Sequence, residues 1–417
     1  MSRPAPHRQR TLFDRSDPRP ALEHELTGFH EFGTATRVLT TTIATDGTQV
    51  PTFVNEFWTS KQRAANALHE VSYRACFKPQ LPRFFIERLT LPGEVVHDPF
   101  MGRGTTPIEA ALLGRTPAGS DINPLATLLT RPRLRPPQQA DVEARLKRLP
   151  LERRAEAPDD LLAFYHPATL AHIAALRRYL NQQEPLDPVD DWIRMVALNR
   201  LTGHSTGFFS VYTLPPNQAT SVAAQRKINQ KRQQTPPRRD VLAILARKSR
   251  QLLKELTSAD RATLQAQTPQ LFTAAADHTP GLRERSVALV VTSPPFLDVV
   301  QYHTDNWLRC WFAGIDPQSV SITQAHSVVE WQTAMAAAFR ELWRVVRPGG
   351  HVAFEVGEVR KGTVQLEQHV VPAAVAAGFT PRLLLINDQK FTKTAHCWGI
   401  DNNQGGTNTN RIVLLQR

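Results

Sequence analysis

Two short runs, each ending in an acid, constrain this chain more than any other feature: "GEVVHDPF" at 93–100 and "TPAGSDINP" at 116–124. Between them "MGRGTTPIEAALLGR" reads as a glycine turn and then a helical pattern that Gly114 closes. A buried strand, a helix and a second strand, joined by loops this short, fit a right-handed parallel crossover. Tandem units of this kind predict an α/β fold built on a doubly wound parallel sheet. Upstream, "FKPQLPRFFIERL" places Leu81, Phe84, Phe85 and Leu89 on one helical face, ready to cover that sheet.

The pattern lapses between about 131 and 265. There "FYHPATLAHIAALRRYL" carries Pro167 in a first-turn position and Leu170, Ile173, Leu176 and Leu180 at helical spacing, and "DWIRMVALNRL" is similar. This segment reads as an inserted, mainly helical lobe. Strand grammar returns with "PQLFTAAADH" and "RSVALVVTSPPF". The helix "EWQTAMAAAFRELWRVV" then leads through "RPGG" to "HVAFEVGEV", and after another helix come "PRLLLIN" and "NRIVLLQR". That makes seven strands. The division expected is an N-terminal arm over 1–50, with a possible strand in "TRVLTTTIAT", one half of the sheet domain over 51–130, the lobe over 131–265 and the other half over 266–417. The polar start of the chain and the absence of an apolar run of about 18 residues speak against export and membrane spanning. Three cysteines without a Cys-x-x-Cys pair suggest neither a disulfide framework nor a zinc site, and fit a reducing cytoplasm.

In "DPFMGRGTT" Asp98 ends a strand, and Gly102 and Gly104 let the backbone turn tightly at the carboxyl edge, where open α/β sheets bind ligands. The pattern lacks the third glycine of a dinucleotide site and the Gly-Lys-Ser/Thr of a phosphate loop. What remains is a ligand with an adenosine, an amino-acid portion and little negative charge, a description S-adenosylmethionine meets. Asp121, ending the second strand, is placed for ribose hydroxyls, and Asp277, read as ending the third, for the adenine amine. Any one of these acids alone is more simply a helix cap or turn former. Three on successive strands favour the ligand.

A fourth strand runs into Ser293-Pro294-Pro295-Phe296. Prolines donate no ladder hydrogen bonds, so they end the strand at the same edge and hold carbonyls outward. An exocyclic base amine is a poor nucleophile because its lone pair is delocalised. The Ser293 hydroxyl and the Pro294 carbonyl can accept its two hydrogens, favour the pyramidal nitrogen and aim the lone pair at a methylsulfonium. Phe296 can stack on a base turned out of its helix. Alone, Ser-Pro-Pro-Phe is an ordinary loop sequence; its place at a strand end gives it weight.

These elements together resemble the S-adenosylmethionine-dependent DNA amino-methyltransferases, which modify cytosine N4 or adenine N6. The matching segments are "FKPQLPRFF", "DPFMGRGTT", "SDIN", "AAADH", "TSPPF" and "RPGG", spanning about 75–417 without the lobe. The resemblance implies a Rossmann-like methyltransferase sheet whose insertion is a target-recognition lobe. It places Lys78, Asp98, Phe100, Gly102, Gly104, Thr105, Asp121, Ile122 and Asp277 around the cofactor, and Ser293 to Phe296 around the base. Serine before Pro-Pro resembles the cytosine-N4 enzymes, where the adenine-N6 enzymes commonly carry an acid or asparagine. Phe296 departs from the tyrosine of many members, keeping the stacking ring without the hydroxyl. The implied setting is a prokaryotic cytoplasm, near the nucleoid, with a restriction endonuclease acting separately.

Charge gives an independent indication of double-stranded DNA. The formal net charge is +12, and residues 226–254 hold ten basic residues against the single acid Asp240. Arg226, Lys227, Lys231, Arg232, Arg238 and Arg239 are the candidate phosphate contacts, with Arg247, Lys248, Arg250 and Lys254 completing the run. Asn229, Gln230, Gln233 and Gln234 are of the types that read base edges. The plainer reading is a solvated helix face. "GHSTGFFSVYTLPPNQ" reads as a loop or hairpin at the groove, with His204 and Tyr212 as candidates. Two rival functions are an RNA amino-methyltransferase, for which no appended RNA module is recognisable, and a non-enzymatic DNA binder on a degenerate scaffold, which would not need the intact acids and Pro-Pro turn. Cytosine C5 chemistry needs a nucleophilic cysteine, usually after proline, and no cysteine here follows one.

Overall fold

The computed structural model describes residues 19–59, 65–74, 76–151, 155–183, 185–214, 216, 219–295, 302–320, 325, 327–356, 358–359, 364–390 and 407–417. The strands are β1 (Arg37–Thr42), β2 (Gln49–Asn55), β3 (Val95–Asp98), β4 (Thr116–Asp121), β5 (Gln270–Thr273), β6 (Val287–Thr292), β7 (Val346–Val356), the short pair β8 (Glu358–Val359) and β9 (Val364–Gln365), β10 (Thr380–Lys390) and β11 (Thr407–Gln416). Nine of them form one sheet in the order β1-β2-β10-β11-β7-β6-β3-β4-β5. The run β7-β6-β3-β4-β5 is parallel throughout, and β11 runs antiparallel to both of its neighbours. The chain winds outward from β3 through β4 to β5, then returns to β3's other side as β6 and winds the opposite way. The edge between β3 and β6 is therefore the topological switch point, the crevice where such sheets bind ligands.

All seven strands counted from the sequence are present; the possible strand in "TRVLTTTIAT" is β1, and its hairpin partner β2, which pairs with β10, is the addition. That hairpin crosses position 50, so the second half of the expected arm belongs to the sheet. The helix α1 (Arg19–Thr27) precedes it, and Leu22 and Leu26 are buried with Phe84 and Phe85.

The helices that flank the sheet follow the sequence closely. In α2 (Gln80–Leu89) the buried side chains include Leu81, Phe84, Phe85 and Leu89. The next helix, α3 (Thr105–Leu112), starts at Gly104 in the left-handed region, φ 76°, and stops where Gly114, φ 74°, turns its N–H back to the Ala111 carbonyl. Asn123 caps α4 (Pro124–Leu134) through the Leu125 N–H.

The inserted segment consists of α5 (Gln139–Leu146), α6 (Pro167–Asn181), α7 (Pro188–Leu198), α8 (Val222–Arg232), α9 (Val241–Leu253) and α10 (Ser258–Ala266). Pro167 opens α6, and Leu170, Ile173, Leu176 and Leu180 are buried on it. One hydrophobic core runs from Leu68, Ile108 and Leu129 through Trp192 and Leu245 to Leu308 and Phe312, joining the insertion to one face of the sheet domain. Phe208, Phe209 and Val211 enter the core, whereas Tyr212 is exposed. The segment expected as a groove loop is thus partly core: a polar and glycine-rich composition did not reveal that its aromatic residues point inward. Two more helices, α11 (Tyr302–Ala313) and α12 (Val328–Val345), lie between β6 and β7 in the chain, and α13 (Glu367–Ala376) packs on α12. No helix among the described residues is long and apolar enough to cross a membrane.

Candidate active site

Asp98 ends β3 with only 1% of its surface exposed. Its Oδ1 accepts the Phe100 N–H at 3.0 Å and the Thr292 hydroxyl at 2.6 Å. Thr292 is the last residue of β6, so this bond closes the switch point and ties the first acid to the strand that delivers Ser293-Pro294-Pro295. Burial pushes the Asp98 carboxyl up to about 7, against the hydrogen bonds from Thr292 and Phe100, and the charge of neighbouring Asp121 adds to the rise. Across the crossover, the Thr106 hydroxyl donates to the Val291 carbonyl at 2.9 Å, seating α3 on β6.

Asp121 ends β4, half-buried, and its two oxygens accept the N–H groups of Gly102 and Asn123, each at 2.9 Å. Desolvation raises its carboxyl to about 6, and those two backbone donors oppose the rise. The glycine loop is thereby fastened to the second acid, and each oxygen keeps a further lone pair for a ligand hydroxyl. Ile122 follows, half-buried at the same edge.

The glycines meet the expectation of a tight turn, Gly102 at φ 49° and Gly104 at φ 76°. At Gly104 the close approach is made by another helix: a Cβ there would lie 2.2 Å from Thr130 Oγ1 on α4. Thr105 is buried, its hydroxyl accepting from Arg103 Nε at 3.2 Å. Its role here is to anchor the loop. Phe100 and Lys78 are half-buried, Lys78 in the turn that opens α2. Arg103 binds the carbonyls of His69, Val71 and Phe77, and the fully buried Arg133 binds those of Leu68, Leu129 and Arg103. These two arginines tie Leu68, His69, Val71 and Phe77 to the glycine loop.

Asp277 departs from expectation. The strand β5 ends at Thr273, and Asp277 lies in the following turn, exposed. "AAADH" is apolar enough to extend a strand pattern on paper, but pairing with β4 stops at Asp121 opposite Thr273.

At the candidate catalytic turn Pro294 is buried, while Ser293 and Pro295 are half-buried. Phe296 lies outside the described residues. Two groups that sequence reasoning missed hold this turn. Trp331 on α12 donates its indole N–H to the Pro295 carbonyl at 2.9 Å. Glu355 on β7, 6% exposed, accepts a hydrogen bond from Asn410 of β11, and the register of β6 on β7 brings Ser293 out beside it. Burial raises the Glu355 carboxyl above the usual range, and the hydrogen bond from Asn410 opposes it. The one signal for Glu355 in the sequence was an acid inside the apolar run "HVAFEV". Beyond the turn, α11 is pinned by a two-bond Arg74–Asp305 ion pair at 2.8 and 2.9 Å and by Arg309, which binds the carbonyls of Ser72 and Pro216. Among the described residues no group of three or more His, Cys, Asp or Glu side chains is arranged to hold a metal ion.

Residues 39–128 match the model of a family described as DNA methylase. That stretch contains β2 to β4, the glycine loop and both switch-point acids. A curated relative, the type II methyltransferase M.MjaII of Methanocaldococcus jannaschii, is 35% identical over 80 residues, which make up 19% of this chain and 14% of that protein. Among solved structures, a SAM-dependent methyltransferase of Methanosarcina mazei aligns with 80% of this chain and 96% of its own, at 9% identity and a TM-score of 0.31. An rRNA methyltransferase of Streptomyces viridochromogenes covers 87% and 94% at 13% identity and a TM-score of 0.32. A DNA modification methylase of Thermus thermophilus complexed with S-adenosyl-L-methionine, described as putative, covers 33% and 49% at 22% identity and 0.20.

The basic run divides on the surface. Lys227, Lys231 and Arg238 are exposed, and Arg232 lies over the Tyr212 ring at 3.8 Å. Arg226 pairs with Asp160, and Arg239 is half-buried, its N–H held by Thr169. Lys248 is 6% exposed and pairs with Glu70, while Arg250 and Lys254 pair with Glu143 and Glu255. The excess of nine is therefore partly balanced by acids from distant parts of the chain. Asn229 and Gln234 bind each other and the carbonyls of Ala163 and Tyr212, which commits them to the scaffold.

Proposed function

We propose that this chain is an S-adenosylmethionine-dependent DNA methyltransferase that modifies an exocyclic amine, N4 of cytosine, in a base turned out of the duplex. The observation that carries the reading is the 2.6 Å hydrogen bond from Thr292 to Asp98. It puts the candidate cofactor acid and the candidate amine-binding turn on one edge, at the switch point of the sheet. The match of residues 39–128 supports the methylase assignment.

The residues fit the cofactor. Asp98 is a buried carboxylate whose charged neighbour, Asp121, is another acid, so its ionised form favours a cationic ligand. When bound, S-adenosylmethionine supplies an electrophilic methyl group on a sulfonium. Asp98 would hold the cationic amino-acid end, directly or through water, and Asp121 would accept from the ribose hydroxyls beside Gly102. Lys78, Phe100 and Ile122 would line the site, and the exposed Asp277 would reach the adenine from the turn after β5. Ser293 and the Pro294 carbonyl would accept the two amine hydrogens, and Phe296 would stack on the base. Lys227, Lys231, Arg232 and Arg238 would contact phosphates, with Arg226 doing so on exchanging Asp160 and Arg239 from its half-buried position. A modification role beside a separate restriction endonuclease, in the cytoplasm near the nucleoid, belongs to the same proposal.

Nucleoside mass spectrometry of duplex DNA incubated with the purified protein and S-adenosylmethionine tests it. N4-methylcytosine is expected. N6-methyladenine alone would overturn the choice of base inferred from Ser293, and methylated RNA with unmodified DNA would favour the rival substrate.

A further inference from the structure

One residue far from the candidate active site in sequence is held in a costly shape. The helix α8 ends at Gln233 with φ 48°, in the left-handed region that a helix end usually fills with glycine. The Gln233 N–H returns to the Gln230 carbonyl at 3.2 Å and the Gln234 N–H to that of Asn229 at 3.0 Å, so the turn is closed on both sides. Side-chain amides lock it there. Asn229 Oδ1 accepts from Gln225 Nε2 at 2.7 Å and from Gln234 Nε2 at 2.8 Å, while Asn229 Nδ2 donates to the Ala163 carbonyl at 2.7 Å. Both glutamines also donate to the Tyr212 carbonyl, at 3.1 and 2.9 Å. Tyr212 therefore stands fixed against α8 with its ring 40% exposed, and the Arg232 guanidinium lies over that ring at 3.8 Å.

Of the amides that could read base edges here, Asn229 and Gln234 are thus committed to the scaffold. Gln230 lies one turn beyond Arg226, on the flank where Arg226 pairs with Asp160. Gln233 is exposed next to Arg232, and among the described residues its side-chain amide has no hydrogen-bond partner. Glycine would make the same turn with less strain, so nothing within the fold accounts for a glutamine. Strain of this kind collects where a side chain has an outside partner. The surroundings set the charge of that partner. Lys227, Lys231 and Arg238 are exposed in the same stretch, and Lys231 and Arg232 oppose the negative end of the α8 dipole, a setting that suits a polyanion. A glutamine amide offers one donor side and one acceptor side, which match N7 and the N6 amine of adenine at the major-groove edge. Guanine presents two acceptors there and calls for arginine instead.

We propose that Gln233 is the residue with which the lobe reads sequence, by a two-bond contact to one adenine of duplex DNA; this rests on the DNA methyltransferase reading above. Its amide nitrogen donates to adenine N7 and its oxygen accepts from the N6 amine. The clamp around the Tyr212 carbonyl removes the backbone freedom that would blur the contact, and the stacked Arg232 is held ready for a neighbouring phosphate.

The test compares wild type with Gln233→Ala, Gln233→Gly and Gln230→Ala, each incubated with S-adenosylmethionine and a pool of random-sequence duplex DNA whose methylated positions are then mapped by sequencing. The wild-type site contains a fixed A·T pair besides the methylated one. In both Gln233 variants that pair becomes degenerate while the rest of the site is kept, and the preference for the wild-type duplex over one altered at that pair falls about tenfold to a hundredfold. Gln230→Ala keeps the wild-type site. Gln233→Gly, relieved of the left-handed β-carbon, melts about 1–2 °C above wild type, and Gln233→Ala does not. Melting of Gln233→Gly at or below that of Gln233→Ala overturns the strain argument. A site unchanged in both Gln233 variants, or loosened equally by Gln230→Ala, overturns the assignment and leaves the methyltransferase reading intact. A folded wild type that methylates no DNA overturns both.

Discussion

With S-adenosylmethionine placed as proposed, the buried Asp98 should make its affinity depend on pH. Its carboxyl is raised from 3.8 to about 7 by burial, so holding it ionised costs the folded protein roughly 4 kcal/mol. The folded chain therefore keeps a proton that the unfolded chain has lost across the window from about pH 4 to 7. Stability without ligand falls as pH rises through that window and is regained on acidification. A cationic ligand binds the ionised form. Its apparent affinity should fall about fivefold from pH 7 to 6 and about ninefold from pH 6 to 5, roughly fiftyfold in all. Calorimetry of S-adenosylmethionine binding over this range, in buffers of different ionisation enthalpy, measures both the affinity and the proton released, about half a proton at pH 7 for Asp98 alone. Asp98→Asn should weaken binding at pH 7 and leave the shallower dependence that Asp121 contributes below about pH 6. Wild-type affinity that is flat from pH 5 to 7, with no proton released, would refute the placement of a cation beside Asp98.

Two further outcomes separate the scaffold from the binding surface. Gly104→Ala combines a left-handed backbone with a Cβ 2.2 Å from Thr130 Oγ1 and should cost roughly 2–4 kcal/mol, while Gly93→Ala, also left-handed but with nothing within 4 Å, should cost about 1–2 kcal/mol; thermal unfolding of the pair checks the packing argument. Replacing the exposed Lys227 and Lys231 with alanine should weaken DNA binding and flatten its salt dependence by about 0.9 per lost phosphate contact, whereas Lys248→Met, at a buried site, should lower the melting temperature and leave that slope unchanged.

The local pattern of the chain determined its elements and their chemistry. Period and punctuation are short-range properties, so β3, β4 and β6, the helix faces of α2 and α6, the positive-φ glycines and the acids Asp98 and Asp121 were legible from neighbouring residues alone. The Ser-Pro-Pro turn was equally visible, since proline ends a ladder wherever it stands. Only the tertiary structure decided what faces what. Sheet order brought Thr292 to Asp98 across 194 positions and set β6 beside β7, so that Ser293 emerges next to Glu355, arrangements that no local periodicity encodes. It also turned the possible strand β1 into a hairpin with β2, which joins the sheet by pairing with β10 near the other end of the chain. It left Asp277 in a turn because β5 runs out of partner. The basic run was read as one surface because charges were counted along the sequence. Folding brought Glu70, Glu143 and Asp160 against three of them, since an ion pair is selected by distance in space and by the desolvation of both partners.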